Sequence, residues 1–492
     1  MAEENKLILK ISENFNFFGP MSILYGTLCT VCLYKNPNGI LFPVFVIMTI
    51  LFGIAYVKKI GLQIRKGTWF YMAGMVLLGI STFLTSSGFL VFFNLAGVFL
   101  LFIVMMIHQF YRDEEWTYQT YSRNLLVAVG TTIGSIFYPF KHAMHFLTGE
   151  SSDRKKKVSY ILTGGVIALV LLLIILPLLV HSDRIFEMYF GNITSYIRFG
   201  NVFWICMMTV MMTILCYAFF SALCRYNLNS NEKRKSDRAN PIIGITFTSV
   251  IAVIYLFYSG IQIIYLFIGK AGSLPDGITY SSYARSGFWE LLFVSVINFL
   301  MVIICTYLFE EDKFLKGILA VISACTFIMI FSAAYRMTMY VNAYHLTFLR
   351  VLVLWFLGLL TLIMAGTVFS IYRKNFPLFR YIMGITACCY ILFSLARPDY
   401  WIAKYNVAHT ENMNVEELSY LLYGLSDDAA PVIAEIDSND VLDAEYDVTA
   451  EYMLKKYFQM IEGTYDNENI RKLNYSHVQA VKSAEEYLQM SK

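Results

Sequence analysis

Arg285, Glu290, Arg336 and Arg350 are ionisable residues set in or beside long apolar runs, and Gln262, Tyr340, Tyr344 and His345 fall close to them in the same pattern. A charge within a membrane helix is costly, so such residues are rare there and mark a ligand or ion pathway or a pairing of helices. Arginine presents a planar fork of donors that matches carboxylates and phosphates. Glu290 is a single carboxylate among three arginines and is expected to pair with Arg336 or Arg350. The remaining positive charge suits an anionic group, carried by a small molecule or by a lipid headgroup. A second reading stays open: the long side chains snorkel to the interface, or join helices by salt bridge and hydrogen bond.

The other polar candidates carry less. Cys29 and Cys32 have the spacing of a redox or metal pair, but no second pair or neighbouring His completes a site. All nine cysteines fall in or at the edge of apolar runs and read as small helix residues. Asn94, His108 and His181 stand isolated in the pattern and read as structural, and Glu310, Glu311 and Asp312 read as a solvated turn. The chain holds no HExxH, GxSxG or P-loop signature. No catalytic residue, metal ligand or cofactor is therefore assigned.

The elements that position these residues follow from composition. Of 492 residues, 58% are hydrophobic and 15% charged, against about 45–50% and about 25% in soluble domains. The apolar residues are concentrated in runs near the ~18 residues that a membrane-crossing helix needs. The runs are continuous rather than alternating in period two, so helices are expected and not a barrel. Eleven spans are predicted, at 19–34, 40–57, 68–84, 88–109, 158–180, 201–223, 242–268, 288–309, 315–335, 346–372 and 378–396. The stretch 125–140 is too short and too interrupted by Gly and Thr to cross, and basic residues flank it; it is expected to lie along the interface.

This arrangement places 23 Lys and Arg on one face and seven on the other before residue 397. The basic face is cytoplasmic by the positive-inside rule, which puts the N-terminus inside and the C-terminal tail outside. No small-residue cleavage site follows the first run, so it reads as retained. The alternation also brings the polar residues of the seventh to tenth spans, Gln262 to Arg350, into one outer layer.

The expected fold class is thus all-α, a polytopic membrane helix bundle with a small helical C-terminal domain. Its parts are 1–110 with the first four spans, an interfacial segment 111–157, spans 158–397, and an acidic tail 398–492. From Arg397 onward there are eight Lys/Arg and eighteen Asp/Glu, which argues against nucleic acid as a partner. Pro398 marks the boundary and disfavours further helix. Within the tail, helices are expected over 414–428, 448–463 and 476–490, docked on the membrane part because so small a pack is marginal alone.

Tyr280-Ser-Ser-Tyr-Ala-Arg-Ser-Gly-Phe-Trp-Glu-Leu291 resembles the YARxGFxEL signature of a bacterial family of multi-pass membrane proteins that share a domain of unknown function. Arg336-Met337 with Tyr340, then Tyr344-His-Leu-Thr-Phe-Leu-Arg350, is similar to that family's next motif, which usually reads YGLT where this chain has His345. Residues 402–406 and 425–431 resemble its closing segment. The resemblance spans about 242–431 and implies a bacterial cell membrane without implying an activity. Its signature residues coincide with the outer polar layer.

Three functions remain. The first is a ligand-binding sensor or transporter-like protein with an outer-facing polar pocket, although no inverted repeat is evident. The second is a membrane enzyme on a lipid-linked substrate, with Glu290 or His345 as its acid or base. The third is an envelope scaffold whose acidic tail meets a membrane or envelope protein.

Overall fold

Long apolar runs become helices because hydrocarbon offers the backbone no hydrogen-bond partner outside its own segment. The computed structural model describes residues 4–111, 113, 116, 118–148, 164–165, 168, 199–225, 239–264, 288–373, 376–410, 413–437, 441, 450–465 and 470–490. Among these residues, nine helices are long and apolar enough to cross a bilayer, and Thr68–Leu84 is a shorter apolar helix. The described residues hold no strand, only the isolated bridges Ala239–Phe309 and Met413–Val441. The chain is therefore an all-α polytopic helix bundle. The span expected at 158–180 lies outside the described residues, as does Arg285.

The chain divides into two compact units. Unit 1 comprises Met1–Phe83, Val91–Ser230 and Glu468–Asn474. Its helices are α1 (Glu4–Glu13), α2 (Phe15–Leu33), α3 (Leu41–Ile60), α4 (Thr68–Leu84), α5 (Gly88–Phe110), α6 (Tyr118–Gly134), α7 (Tyr138–Thr148) and α8 (Phe199–Arg225). The stretch 125–140, expected as one interfacial segment, is divided between α6 and α7. Helices α2 and α8 approach closely because Gly26 has no side chain: a Cβ there would lie 2.6 Å from the carbonyl oxygen of Thr209. Further along, the rings of Tyr56 and Phe220 stack at 4.0 Å. The short returning segment ties down the α2–α3 loop, where Ile40 N–H donates to Leu473 O (2.8 Å) and Asn474 Nδ2 to Asn38 O (2.7 Å).

Unit 2 comprises Leu84–Leu90, Asn231–Asn467 and Tyr475–Lys492. Its apolar helices are α9 (Pro241–Gln262), α10 (Phe288–Leu308), α11 (Lys313–Tyr344), α12 (Phe348–Tyr372) and α13 (Leu378–Leu395). Their starts are legible residue by residue. Asn240 caps α9 ahead of a proline at the first position, Asp312 accepts from Phe314 N and Leu315 N, and Thr347 accepts from Arg350 N. Met329, Ala333, Leu357 and Met364 form part of the core between α10, α11 and α12. Helix α11 runs 32 residues and continues past the expected end at 335 to Tyr344. Its polar residues Ser332, Arg336, Tyr340 and Tyr344 recur every four positions, so they follow one side of the helix instead of ending it. At 1.5 Å per residue it is about 48 Å long, more than the ~30 Å of hydrocarbon.

One expectation at the boundary is corrected. The apolar pattern does stop at Arg397, but Pro398 begins a new helix, α14 (Pro398–His409). A proline in the first turn loses no hydrogen bond, because that N–H has no intrahelical partner anyway. The break is made by Arg397, whose φ of 52° turns the chain through the left-handed region. The tail continues with α15 (Val415–Ser419), prolonged by one π turn at Tyr420–Gly424, then α16 (Ala430–Ile433), α17 (Ala450–Tyr465) and α18 (Tyr475–Met490). Leu418, Leu422, Ile433, Leu454, Phe458 and Ala480 close their common core. The tail docks on the membrane helices of its own unit, where α14 packs on α12 and Asn406 bonds the backbone of Leu346.

Candidate functional site

Polar side chains run in steps through the apolar helices of unit 2. Tyr255 on α9 donates to Asn298 Oδ1 on α10 (2.8 Å), and Asn298 Nδ2 donates to Thr326 Oγ1 on α11 (2.9 Å). Nearer the end of α11, Ser332 Oγ donates to Gln262 Oε1 across to α9 (2.6 Å). Each such interhelical bond contributes about 0.6 kcal/mol on average in a membrane. Arg336 follows one turn beyond Ser332 and is 8% exposed. Gln262 and Arg336 thus belong to one buried polar column.

The column ends in a loop that the tail holds. The rings of Tyr340 and Tyr344 meet at a tilt with centroids 5.2 Å apart, and the Arg350 guanidinium lies 4.1 Å from the Tyr340 ring centroid. Arg350 also donates to the carbonyl oxygens of Tyr344 (2.5 Å) and His345. These are orphan carbonyls at a helix C-terminus, where a cation is favoured. His345 takes φ 58° and ψ −179°, a backbone region almost confined to glycine. The His345 ring is 3.5 Å from Glu417 in the tail. Asn406 brackets Leu346, accepting from its N–H and donating to its carbonyl, each at 2.9 Å, and Phe348 N–H donates to the Tyr420 hydroxyl (2.8 Å).

Two expectations change. Glu290 lies on the exposed side of α10, and among the described residues it pairs with neither Arg336 nor Arg350. Equal depth did not bring the groups together because residue 290 points away from the α11–α12 side of its helix. His108 is not isolated. Its Nδ1 lies 2.9 Å from Asp113 Oδ1 and its Nε2 lies 3.1 Å from Lys66 O. Tyr121 donates to Asp113 Oδ2 (3.3 Å), and Arg65 donates to His108 O (3.0 Å) and lies 4.0 Å from Asp113. These partners come from three separate stretches of unit 1, so no single window of sequence displays them.

Sequence reasoning also missed a second buried cluster, in unit 2. Asp428 is fully buried; it accepts from Thr85 Oγ1 (2.5 Å), from Ser86 N–H (3.3 Å) and from Arg397 (3.2 Å). Arg397 packs against the rings of Tyr400 and Tyr475. Beside them, Asp399 is 3% exposed and accepts from Ser426 through both its N–H and its hydroxyl, at 3.3 and 2.6 Å. Burial pushes the Asp399 carboxyl above the usual carboxylate range; the Ser426 bond opposes the rise and the Asp428 charge adds to it. The signal lay in the Arg397-Pro398-Asp399 boundary and in the 425–431 segment, read there as chain markers rather than as partners.

The class that this fold and these columns define is an α-helical multi-pass membrane protein with a folded tail. The model of a domain of unknown function (DUF4153) matches residues 72–436, about three quarters of the chain, and the protein belongs to that family. No curated protein and no solved structure matches it. The matched stretch includes the 345–347 loop and Asp428 with its partners Thr85, Ser86 and Arg397, and it ends before α17 and α18, and so before Tyr475.

Proposed function

We propose that the protein is a ligand-binding membrane protein, a sensor or the binding part of a transport device, whose polar layer in unit 2 takes an anionic group. The observation that carries the reading is Arg336: an arginine 8% exposed inside an apolar helix, one turn from the Gln262–Ser332 pair. Burying such a charge is costly, and its usual reward is a ligand, an ion or a helix contact. Arg350 then serves differently from Arg336: it shapes the loop, and the loop passes any displacement to the tail through Asn406, Tyr420 and Glu417.

The orientation proposed with it has the N-terminus cytoplasmic and the tail external, in a bacterial cell membrane. The 23-to-7 split of basic residues supports it. So does the bonding of the tail to the 85–87 and 345–347 loops, both assigned to the outer face by the alternation of spans.

The test uses the full chain in nanodiscs of neutral lipid. One arm adds inorganic phosphate or acetate; the other replaces a third of the lipid with phosphatidylglycerol. The reading expects a higher melting temperature in one arm, and the arm identifies a free anion or a headgroup as the source. Occupancy at 100 times Kd corresponds to about 2.7 kcal/mol of protection. Arg336→Gln should abolish the protection. Absence of protection in both arms, or equal protection in Arg336→Gln, refutes the reading.

A further inference from the structure

Unit 1 holds a partly open cavity of about 240 Å³ lined by side chains of α2, α3, α5, α6 and α8. Its wall is almost entirely apolar and aromatic: Phe52, Phe99, Phe102, Met212, Leu215 and Phe219 provide much of it. The tight packing described above flanks it along α8, with Gly26 against Thr209 on one side and Tyr56 stacked on Phe220 on the other.

The few polar atoms in the wall are already committed. Thr49 donates to Phe45 O (2.8 Å), which leaves its oxygen to accept from the Tyr25 hydroxyl at 3.2 Å. Thr132 donates to Ala128 O (2.8 Å). A buried water needs two to four polar partners, and an apolar cavity of ~150 Å³ stays dry yet binds benzene. This space is larger and offers a guest only dispersion. Four of its five helices are long and apolar enough to cross a bilayer, so the medium around it is hydrocarbon.

We propose that this cavity is a binding site for one hydrocarbon chain of a membrane lipid, entering from the bilayer with its headgroup left outside. The site is independent of the anion reading, because it lies wholly in unit 1 and uses none of the residues invoked there.

The experiment places the full chain in nanodiscs doped with phosphatidylglycerol carrying a diazirine near the end of one acyl chain, and in a second set with a diazirine-bearing prenyl phosphate. Cross-linked peptides are mapped after irradiation. Ile47 and Leu51 on α3, which are 47% and 52% exposed, report ordinary contact with bulk lipid. Labelling of the 212–219 and 99–103 peptides should saturate as the probe fraction rises, whereas labelling at Ile47 and Leu51 should keep rising in proportion. The probe that saturates identifies an acyl or a prenyl chain. Leu215→Trp fills the space and should cut cavity labelling about tenfold, the equivalent of about 1.4 kcal/mol, with Ile47 and Leu51 unchanged. If that variant does not fold, the saturation measurement on the natural protein stands alone. Proportional labelling at the cavity peptides with both probes, or no labelling there, overturns the proposal.

Discussion

Among the described residues, each unit contains a wholly buried aspartate next to an arginine, Asp113 and Asp428, and the two are built differently. In unit 1, Asp113 is ringed by His108, Tyr121 and Arg65, none more than about fifty residues away in the chain. Its neighbours keep other partners: Arg65 also donates to His108 O and Tyr111 O, and His108 also meets Lys66 O. In unit 2, Asp428 takes its bonds from Thr85 and Ser86, over 340 residues earlier, and from Arg397. The first carboxylate pins helix ends that are already neighbours. The second closes the chain on itself. A buried charge thus holds little on its own account; what it holds depends on whether its partners have alternatives.

The sharpest way to break the contrast is Asp428→Ala. It strands Arg397 and the 85–87 loop, and breaking a buried pair costs about 3–5 kcal/mol. A thermal melt should show that loss, and limited proteolysis should cut the tail sooner. Adding Arg397→Ala should cost less than the sum of the two single changes. Asp113→Ala should cost less, about 1–3 kcal/mol, because its partners keep backbone acceptors. Hydrogen exchange should rise in the 65–68 and 118–124 peptides and stay unchanged in the tail. A larger loss for Asp113→Ala than for Asp428→Ala would reverse the comparison.

A smaller effect of opposite sign is expected at the loop. His345→Gly removes a backbone conformation that costs a side-chain-bearing residue about 1–3 kcal/mol and gives up only a partly exposed contact with Glu417. The melting temperature should rise; a fall would show that the Glu417 contact outweighs the backbone cost.

The smallest effects are in pH, and they run in opposite directions in the two units. Burial pushes the Asp399 carboxyl up, so the folded tail binds its proton more tightly than the unfolded chain does. Its contribution is full below the ordinary carboxyl pKa of ~3.9 and fades as pH rises through the raised value. Asp399→Asn should flatten that dependence in tail proteolysis. His142 in unit 1 is pulled down to about 4, chiefly by burial and then by Lys141 and His145. Its contribution is full above the ordinary histidine value of ~6.5 and fades as pH falls toward 4. Protection factors in the 138–148 peptides, taken relative to intrinsic exchange at each pH, should therefore fall on acidification while the tail tightens, and His142→Gln should remove the first effect only.

The sequence made the helices legible because a long apolar run has one answer in lipid. The predicted spans at 40–57, 288–309 and 346–372 differ from Leu41–Ile60, Phe288–Leu308 and Phe348–Tyr372 by only a few residues at their ends. Three of the five tail helices were visible from Leu418, Leu421 and Leu422 and from similar spacing further on, whereas α14 and α16 were not expected. Of the polar set singled out, Arg336, Tyr340 and Tyr344 follow one side of α11, Gln262 bonds Ser332 one turn from Arg336 and Arg350 lies on the Tyr340 ring, while Arg285 is outside the described residues and Glu290 stands apart. Partnership was not visible. Depth along a helix can be counted from sequence, but the direction each side chain points around the bundle depends on which neighbours pack there. That is why Glu290 was paired with arginines it does not meet. The Asp428 cluster was hidden for a related reason, since nothing local to Thr85 announces a carboxylate in the tail.

The hydrogen bond from Thr85 to Asp428 spans 343 residues of chain. At a synthesis rate of roughly 5–20 residues per second, the hydroxyl waits about 17–70 s for its acceptor. During that interval the Thr85 hydroxyl has its own loop, where it accepts from Ser87 N–H (3.1 Å), but not its tail acceptor. A ribosome that stalls anywhere before residue 428 leaves the loop unfinished, with two membrane helices already made on either side of it. Completion of the tail is therefore what satisfies Thr85, at a point in the chain made long before the end that supplies its partner.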